Sequence, residues 1–233
     1  MSKRYVAFII CIFAVIIGTL LFTTLIMDGY YMLSSLFLLV VIMLPFYIRF
    51  ERKVFVSREI VLVAVLAAIA AVSRVPFSLL PSVQPTSFVI IVSAIVFGSE
   101  TGFMIGATAA IVSNIFLGQG PWTPWQMFSW GMIGFIAGLL RNTFLMKKLW
   151  GRLLYGFFVG FLFGWIMNFW GLLGFIREAT WETVISYYIA SFYFDLSHAI
   201  SNVVFLLLFS TSWITILTRF KKKYGILDKH NMV

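Results

Sequence analysis

Long apolar runs separated by short polar or glycine- and proline-bearing breaks set the pattern of this chain. Several runs reach the roughly 18 to 20 residues that a helix needs to cross a bilayer. None shows the alternating ten-residue segments of a membrane β-barrel. The breaks predict eight helical spans, at about 5–27, 31–49, 59–76, 87–98, 102–117, 126–145, 153–175 and 196–218. The fourth is short, and only Gly98 to Gly102 separates it from the fifth. A charged hinge, Arg49 to Glu59, divides the first two spans (1–50) from a six-helix core (51–220), and a basic tail follows (221–233). The segment 177–195 is polar and aromatic and reads as a loop.

Composition agrees with the pattern. The 233 residues are 62% hydrophobic and 11% charged, whereas soluble domains run near half apolar and a quarter charged. The expected fold class is therefore an all-α integral membrane protein. Residues 1–27 begin with Lys3 and Arg4 like a signal peptide, but the run is long and no small-x-small cleavage pattern precedes Asp28. It reads as a retained span. The lone Cys11 gives no disulfide framework or metal cluster within one chain.

Charge sets the orientation. With the N-terminus inside, the cytoplasmic connectors and adjoining span ends hold 15 of the 17 basic residues, and only Arg74 and Arg177 fall outside. The Lys/Arg bias thus places both termini in the cytoplasm, in the cell membrane. It also explains the net charge of +9 without nucleic acid. Three long breaks, 77–86, 118–125 and 177–195, then point outward. They suggest a ligand captured from outside.

The loop Gly118-Gln119-Gly120-Pro121-Trp122-Thr123-Pro124-Trp125-Gln126 is the most unusual of these. Its prolines and glycines forbid a through-going helix. Its tryptophans and glutamines exceed what a connector needs. Trp122, Trp125 and Trp130 offer flat apolar area, although an interfacial aromatic belt would use the same residues. Polar groups in hydrocarbon are costly and normally face an interior or a cavity. Asn114 and Asn168 lie in the outer parts of their spans, where each could bind ligand or hold two helices together. Asp195, His198 and Asn202 share one helical face by their three- and four-residue spacing. Arg74 ends the third span at the same level and could pair with Asp195 or with a ligand carboxylate, amide or phosphate. Gln84, Gln119 and Gln126 add amide groups for hydrogen bonding. In the third span, Ala64 with Ala68 and Ala67 with Ala71 form overlapping small-xxx-small pairs, suited to close helix approach. Glycines 156, 160 and 164, and 131, 134 and 138, suit internal packing in the same way.

No P-loop, His-Glu-x-x-His, Gly-x-Ser-x-Gly or paired intramembrane carboxylate occurs. A secondary transporter would call for coupling charges in the spans and internal repeats, neither of which is evident. A membrane enzyme would rest on the His198–Asp195 pair alone, without a nucleophile or metal partner.

From about Arg58 to Arg219 the chain resembles the substrate-binding (S) subunits of energy-coupling factor (ECF) vitamin transporters. The resemblance lies in Arg58-Glu59-Ile60-Val61-Leu62-Val63-Ala64-Val65-Leu66-Ala67-Ala68, Val83-Gln84-Pro85-Thr86, Ser113-Asn114-Ile115-Phe116-Leu117-Gly118 and, most specifically, Gly120-Pro121-Trp122-Thr123-Pro124-Trp125-Gln126-Met127. It is closest to the cobalamin-type branch. It implies a non-catalytic subunit with six core helices and no intrinsic cofactor. Such a subunit captures a micronutrient from outside, with cobalamin or a related corrinoid the best candidate. Another vitamin or a nucleobase-like precursor is the alternative. The resemblance further implies docking on a transmembrane coupling subunit driven by two ATPases, and toppling in the bilayer. Ala64, Ala67, Ala68 and Ala71 match the family's docking strip. Arg74, Gln84, Asn114, Gln119, Trp122, Trp125, Gln126, Trp130, Asn168, Asp195, His198 and Asn202 are the expected ligand-binding residues. The two spans before residue 51 depart from the six-helix pattern.

Overall fold

A computed structural model describes residues 31–51, 57–175 and 180–226. The expected first span and the tail beyond residue 226 lie outside the described residues. The described residues are helical and contain no strand. In chain order the helices are α1 (Tyr31–Glu51), α2 (Ser57–Arg74), α3 (Pro85–Phe97), α4 (Ser99–Leu117), α5 (Thr123–Leu140), α6 (Phe144–Lys147), α7 (Leu149–Phe175) and α8 (Trp181–Tyr224). A 3-10 turn, Val75–Phe77, follows α2. Four segments are long and apolar enough to cross a membrane: Ser57–Phe77, Ser99–Leu117, Leu149–Leu173 and Trp181–Tyr224. Leu39–Ile48 and Pro85–Phe97 are shorter apolar helices.

α3 is the centre of the bundle. Every one of its residues except Ile95 is buried, as expected for a helix that is apolar all round. It packs against α2, α4, α5 and α8. At 13 residues it is roughly 20 Å long, well short of the hydrocarbon thickness. Pro85 opens it at a position where a missing N–H costs nothing. The turn 78–84 covers that end.

Two antiparallel helix pairs flank α3, and glycine sets the spacing of both. In α4/α5 the backbones meet at Gly102 and Gly134, at Gly106 and Trp130, and at Gly98 and Gly138. A Cβ on Gly102, Gly106, Gly134 or Gly138 would run into the facing backbone. In α7/α8 the contacts are Gly156 with Leu206, Gly160 with Ala199, and Gly164 with Asp195. Of these, Gly134, Gly138, Gly156, Gly160 and Gly164 are ones that the sequence assigns to internal packing. α1 lies on the outer side of α4, α5 and α7. There Phe46 stacks on Phe103 at 4.3 Å and meets Phe135 edge-on at 4.9 Å.

Two boundaries correct the sequence reading. Residues 181–195 are not a loop but the first third of α8, which runs unbroken for 44 residues. Thr180 caps it by accepting the Thr183 N–H at 3.2 Å, and no proline or glycine interrupts it before Gly225. Tyr188, Ser191, Asp195, His198 and Asn202 form one polar stripe whose contacts run to α7 and α3. The second correction is at the tryptophan loop. α5 begins at Thr123 rather than 126, with Pro124 inside its first turn. The loop proper is therefore 118–122. The helix ends at Leu140, and the short α6 fills the remainder of the link.

The turn 78–84 and the loop 118–122 share one end of the bundle, here called the loop end. Gly98, Arg141 and Lys147 mark the opposite, basic end.

Candidate functional site

A chain of hydrogen bonds crosses the bundle at the loop end. It starts at Arg74, the last residue of α2. Its Nη1 donates to Ser113 Oγ and to Asn114 Oδ1, both at 3.1 Å. Asn114 then donates from Nδ2 to Thr123 Oγ1 at 3.0 Å and to Gln126 Oε1 at 2.7 Å. The Thr123 hydroxyl donates to Gln119 Oε1 at 2.9 Å and accepts the Gly120 N–H at 3.2 Å. Gln119 closes the loop by donating to the Ile111 carbonyl at 2.9 Å. One asparagine, 1% exposed, thus ties the end of α2 to α4, to the tryptophan loop and to α5.

Arg74 also joins a second chain. Its guanidinium lies 5.2 Å from the centroid of the Trp130 ring. Trp130 is wholly buried and stacks on Phe163 at 5.0 Å. Its Nε1–H donates to Ser87 Oγ at 3.2 Å, and Ser87 Oγ lies 2.9 Å from His198 Nε2. The Ser87 hydroxyl and His198 Nε2 share this hydrogen bond, whose direction follows the His198 tautomer, and the other ring nitrogen is Nδ1. That Nδ1 is buried without a partner among the described residues, as are Gln84 Oε1 and Asn202 Oδ1. Gln84 is held through its backbone N–H, which donates to Ser201 Oγ at 3.1 Å. Ser197 donates to the Pro81 carbonyl at 2.7 Å, so α8 anchors the turn 78–84 at two points.

The expected residues divide accordingly. Arg74, Asn114, Gln119, Gln126 and Trp130 form one network, and His198 joins it through Ser87. Asp195 and Asn168 form a separate pair across α7 and α8, where Asn168 donates to Ser191 and Ser191 donates to Asp195 Oδ2 at 3.3 Å. Asp195 sits against Gly164 and does not pair with Arg74. Asn202 lies deeper, donating to the Gly156 carbonyl at 3.0 Å. Trp122 meets Trp170 edge-on at 6.0 Å, and Trp125 meets Phe169 in the same way at 5.9 Å. Trp125 is buried in a cluster with Leu39, Met43 and Phe46 of α1. The alanines of α2 also divide. Ala67 and Ala71 are buried within the bundle, while Ala64 and Ala68 are exposed on a face with Val61, Val65 and Val72.

Sequence reasoning passed over Ser87, Ser113, Thr123 and Ser201. A hydroxyl inside a span can bond its own helix backbone, so it carries little signal. Only the position of Ser113 beside Asn114, and of Thr123 within the tryptophan loop, offered one.

The network holds four segments in register. It offers hydrogen-bonding edges, one guanidinium and aromatic faces, an arrangement suited to binding.

The chain is 28% identical over 90 residues to a UPF0397 protein of Vibrio atlanticus, covering 36% of this chain and 49% of that protein. It is 27% identical over 88 residues to a UPF0397 protein of Aliivibrio fischeri, covering 36% and 48%. The chain spans about half the length of the curated relatives it matches. No solved structure matches. The sequence model described as "ECF transporter, substrate-specific component" matches residues 58–221, from the start of α2 to the basic end of α8. The chain therefore belongs to the substrate-specific components of ECF transporters, a family of membrane transport subunits.

Proposed function

We propose that this chain captures a micronutrient at the loop end and hands it inward after docking on an ATP-driven coupling module. The observation that carries this reading is the Arg74–Asn114–Gln126 network. It is a buried polar layer spanning several helices at one end of an otherwise apolar bundle, beneath the loop with the most specific family motif. The Lys/Arg bias supports placing that end outside and both termini inside. Arg74 and Gln119 of the network, with Gln84 and Trp122 beside it, are side chains at the loop end that are not fully buried and that a ligand would meet first. Asn114, Gln126 and Trp130 fix their positions from below. The exposed face of α2 around Ala64 and Ala68 supports docking there on the coupling subunit, with ATP hydrolysis on its partner chains.

Cobalamin is the ligand that the sequence resemblance favours. The closed packing of the layer favours a smaller molecule, since Trp130 and Asn114 are 0% and 1% exposed. A corrinoid would require the loop end to open. Equilibrium binding to the purified full chain, with cobalamin and a panel of smaller vitamins, tests both. At least one vitamin is expected to bind, and Gln126→Leu is expected to weaken it by about tenfold or more. Binding unchanged by Gln126→Leu and by Asn114→Leu would place the site elsewhere.

A further inference from the structure

Among the described residues Arg74 is a cation without a counter-charge. Its Nη1 serves two neutral acceptors, Ser113 Oγ and Asn114 Oδ1. Its Nε and Nη2 carry no hydrogen bond to a described residue. No described carboxylate lies within ion-pair distance, and the nearest candidate from sequence, Asp195, is engaged by Ser191 on the α7/α8 side. Hydroxyls and amides can orient a guanidinium but cannot neutralise it. A partly desolvated charge of this kind is costly unless something supplies the opposite charge.

The geometry also fixes which part of Arg74 is available. The two bonds from Nη1 and the Trp130 ring beneath the guanidinium set its plane. The edge formed by Nε and Nη2 is left over, and that edge matches the two oxygens of a carboxylate or phosphate side-on. The geometry points to a substrate that carries a compact oxyanion, received by the Nε/Nη2 edge of Arg74. This rests on the polar layer being the capture site. It narrows the substrate to an acidic micronutrient, either a carboxylate or a phosphate ester. Asn114 and Ser113 are positioning residues for this contact.

The test uses the full chain in phosphatidylcholine nanodiscs and pairs of probes that differ only in charge. Nicotinate with nicotinamide, biotin with biotinamide, and pantothenate with pantothenol form the carboxylate arm. Pyridoxal phosphate with pyridoxal forms the phosphate arm. Cobalamin is titrated alongside. At least one acid is expected to bind on the order of a hundredfold more tightly than its neutral twin. Arg74→Gln should bring the acid down to the level of the twin. Arg74→Lys should recover only part of the difference, because it restores charge without the fork. Unchanged thermal unfolding of the Lys variant shows that the fold is intact. A neutral twin that binds as tightly as its acid, or an acid unaffected by Arg74→Gln, overturns the proposal. Tight cobalamin or neutral-twin binding that is lost in Asn114→Leu overturns the oxyanion while leaving the capture site standing. Failure of every probe to bind the wild-type chain counts against both.

Discussion

At the residue scale Asn114 is the keystone. Its carbonyl oxygen accepts from Arg74, and both hydrogens of its amide are used, on Thr123 and Gln126. Asn114→Leu removes all three bonds and strands buried partners, so a loss of about 1–3 kcal/mol per stranded group is expected in thermal or denaturant unfolding. Asn114→Asp has a different consequence. It puts a carboxylate beside Arg74, supplies the missing counter-charge from within, and lets the Gln126 amide turn to donate. The expected result is a folded protein that has lost affinity for acidic ligands, measured by the same paired titrations. Retained acid binding in Asn114→Asp would mean that Arg74 is not the receptor. Arg74, Asn114 and Gln126 were visible in the sequence because amides and charges in apolar runs demand partners. Which partners they take was not visible. Arg74 faces α4 and Asp195 faces α7, and nothing in their spacing distinguishes that from a direct pair.

At the element scale, α8 shows where pattern reading fails. Residues 181–195 mix Tyr, Ser and Phe without a continuous apolar run, so they read as a loop. The stripe Tyr188–Ser191–Asp195–His198–Asn202 keeps helical spacing throughout, and its contacts run to α7 and α3. Ser186→Pro tests the continuous helix, since a proline in the interior of a helix costs about 3 kcal/mol. A clear loss of helicity by circular dichroism and of thermal stability is expected; a silent substitution would fit a loop. The glycine strips were legible because small residues four apart have few other uses. Gly160 faces the Ala199 backbone, so Gly160→Val should push α7 and α8 apart. About 1–3 kcal/mol of destabilisation is expected, typical of overpacking.

At the scale of the whole molecule, the apolar runs made the helical membrane fold legible, and the tryptophan-loop motif made the family legible. The placement of α1 was not, because an apolar span carries no mark of which neighbour it meets. It buttresses α4 and α5 through Phe46 on Phe103 and Phe135 and adjoins Trp125. Phe46→Ala should cost about 3–5 kcal/mol in unfolding experiments, as for other buried phenylalanines. Ala68→Trp on the exposed α2 face should leave ligand binding intact and abolish co-purification with the coupling module. The most direct measurement is mass spectrometry of the small molecule released from the purified full chain, alone and as Asn114→Leu. A micronutrient-sized molecule at near-stoichiometric amount is expected from the wild type and from Ala68→Trp, and a much reduced amount from Asn114→Leu. A bound molecule retained undiminished in Asn114→Leu would contradict a capture site built on the Arg74–Asn114–Gln126 layer.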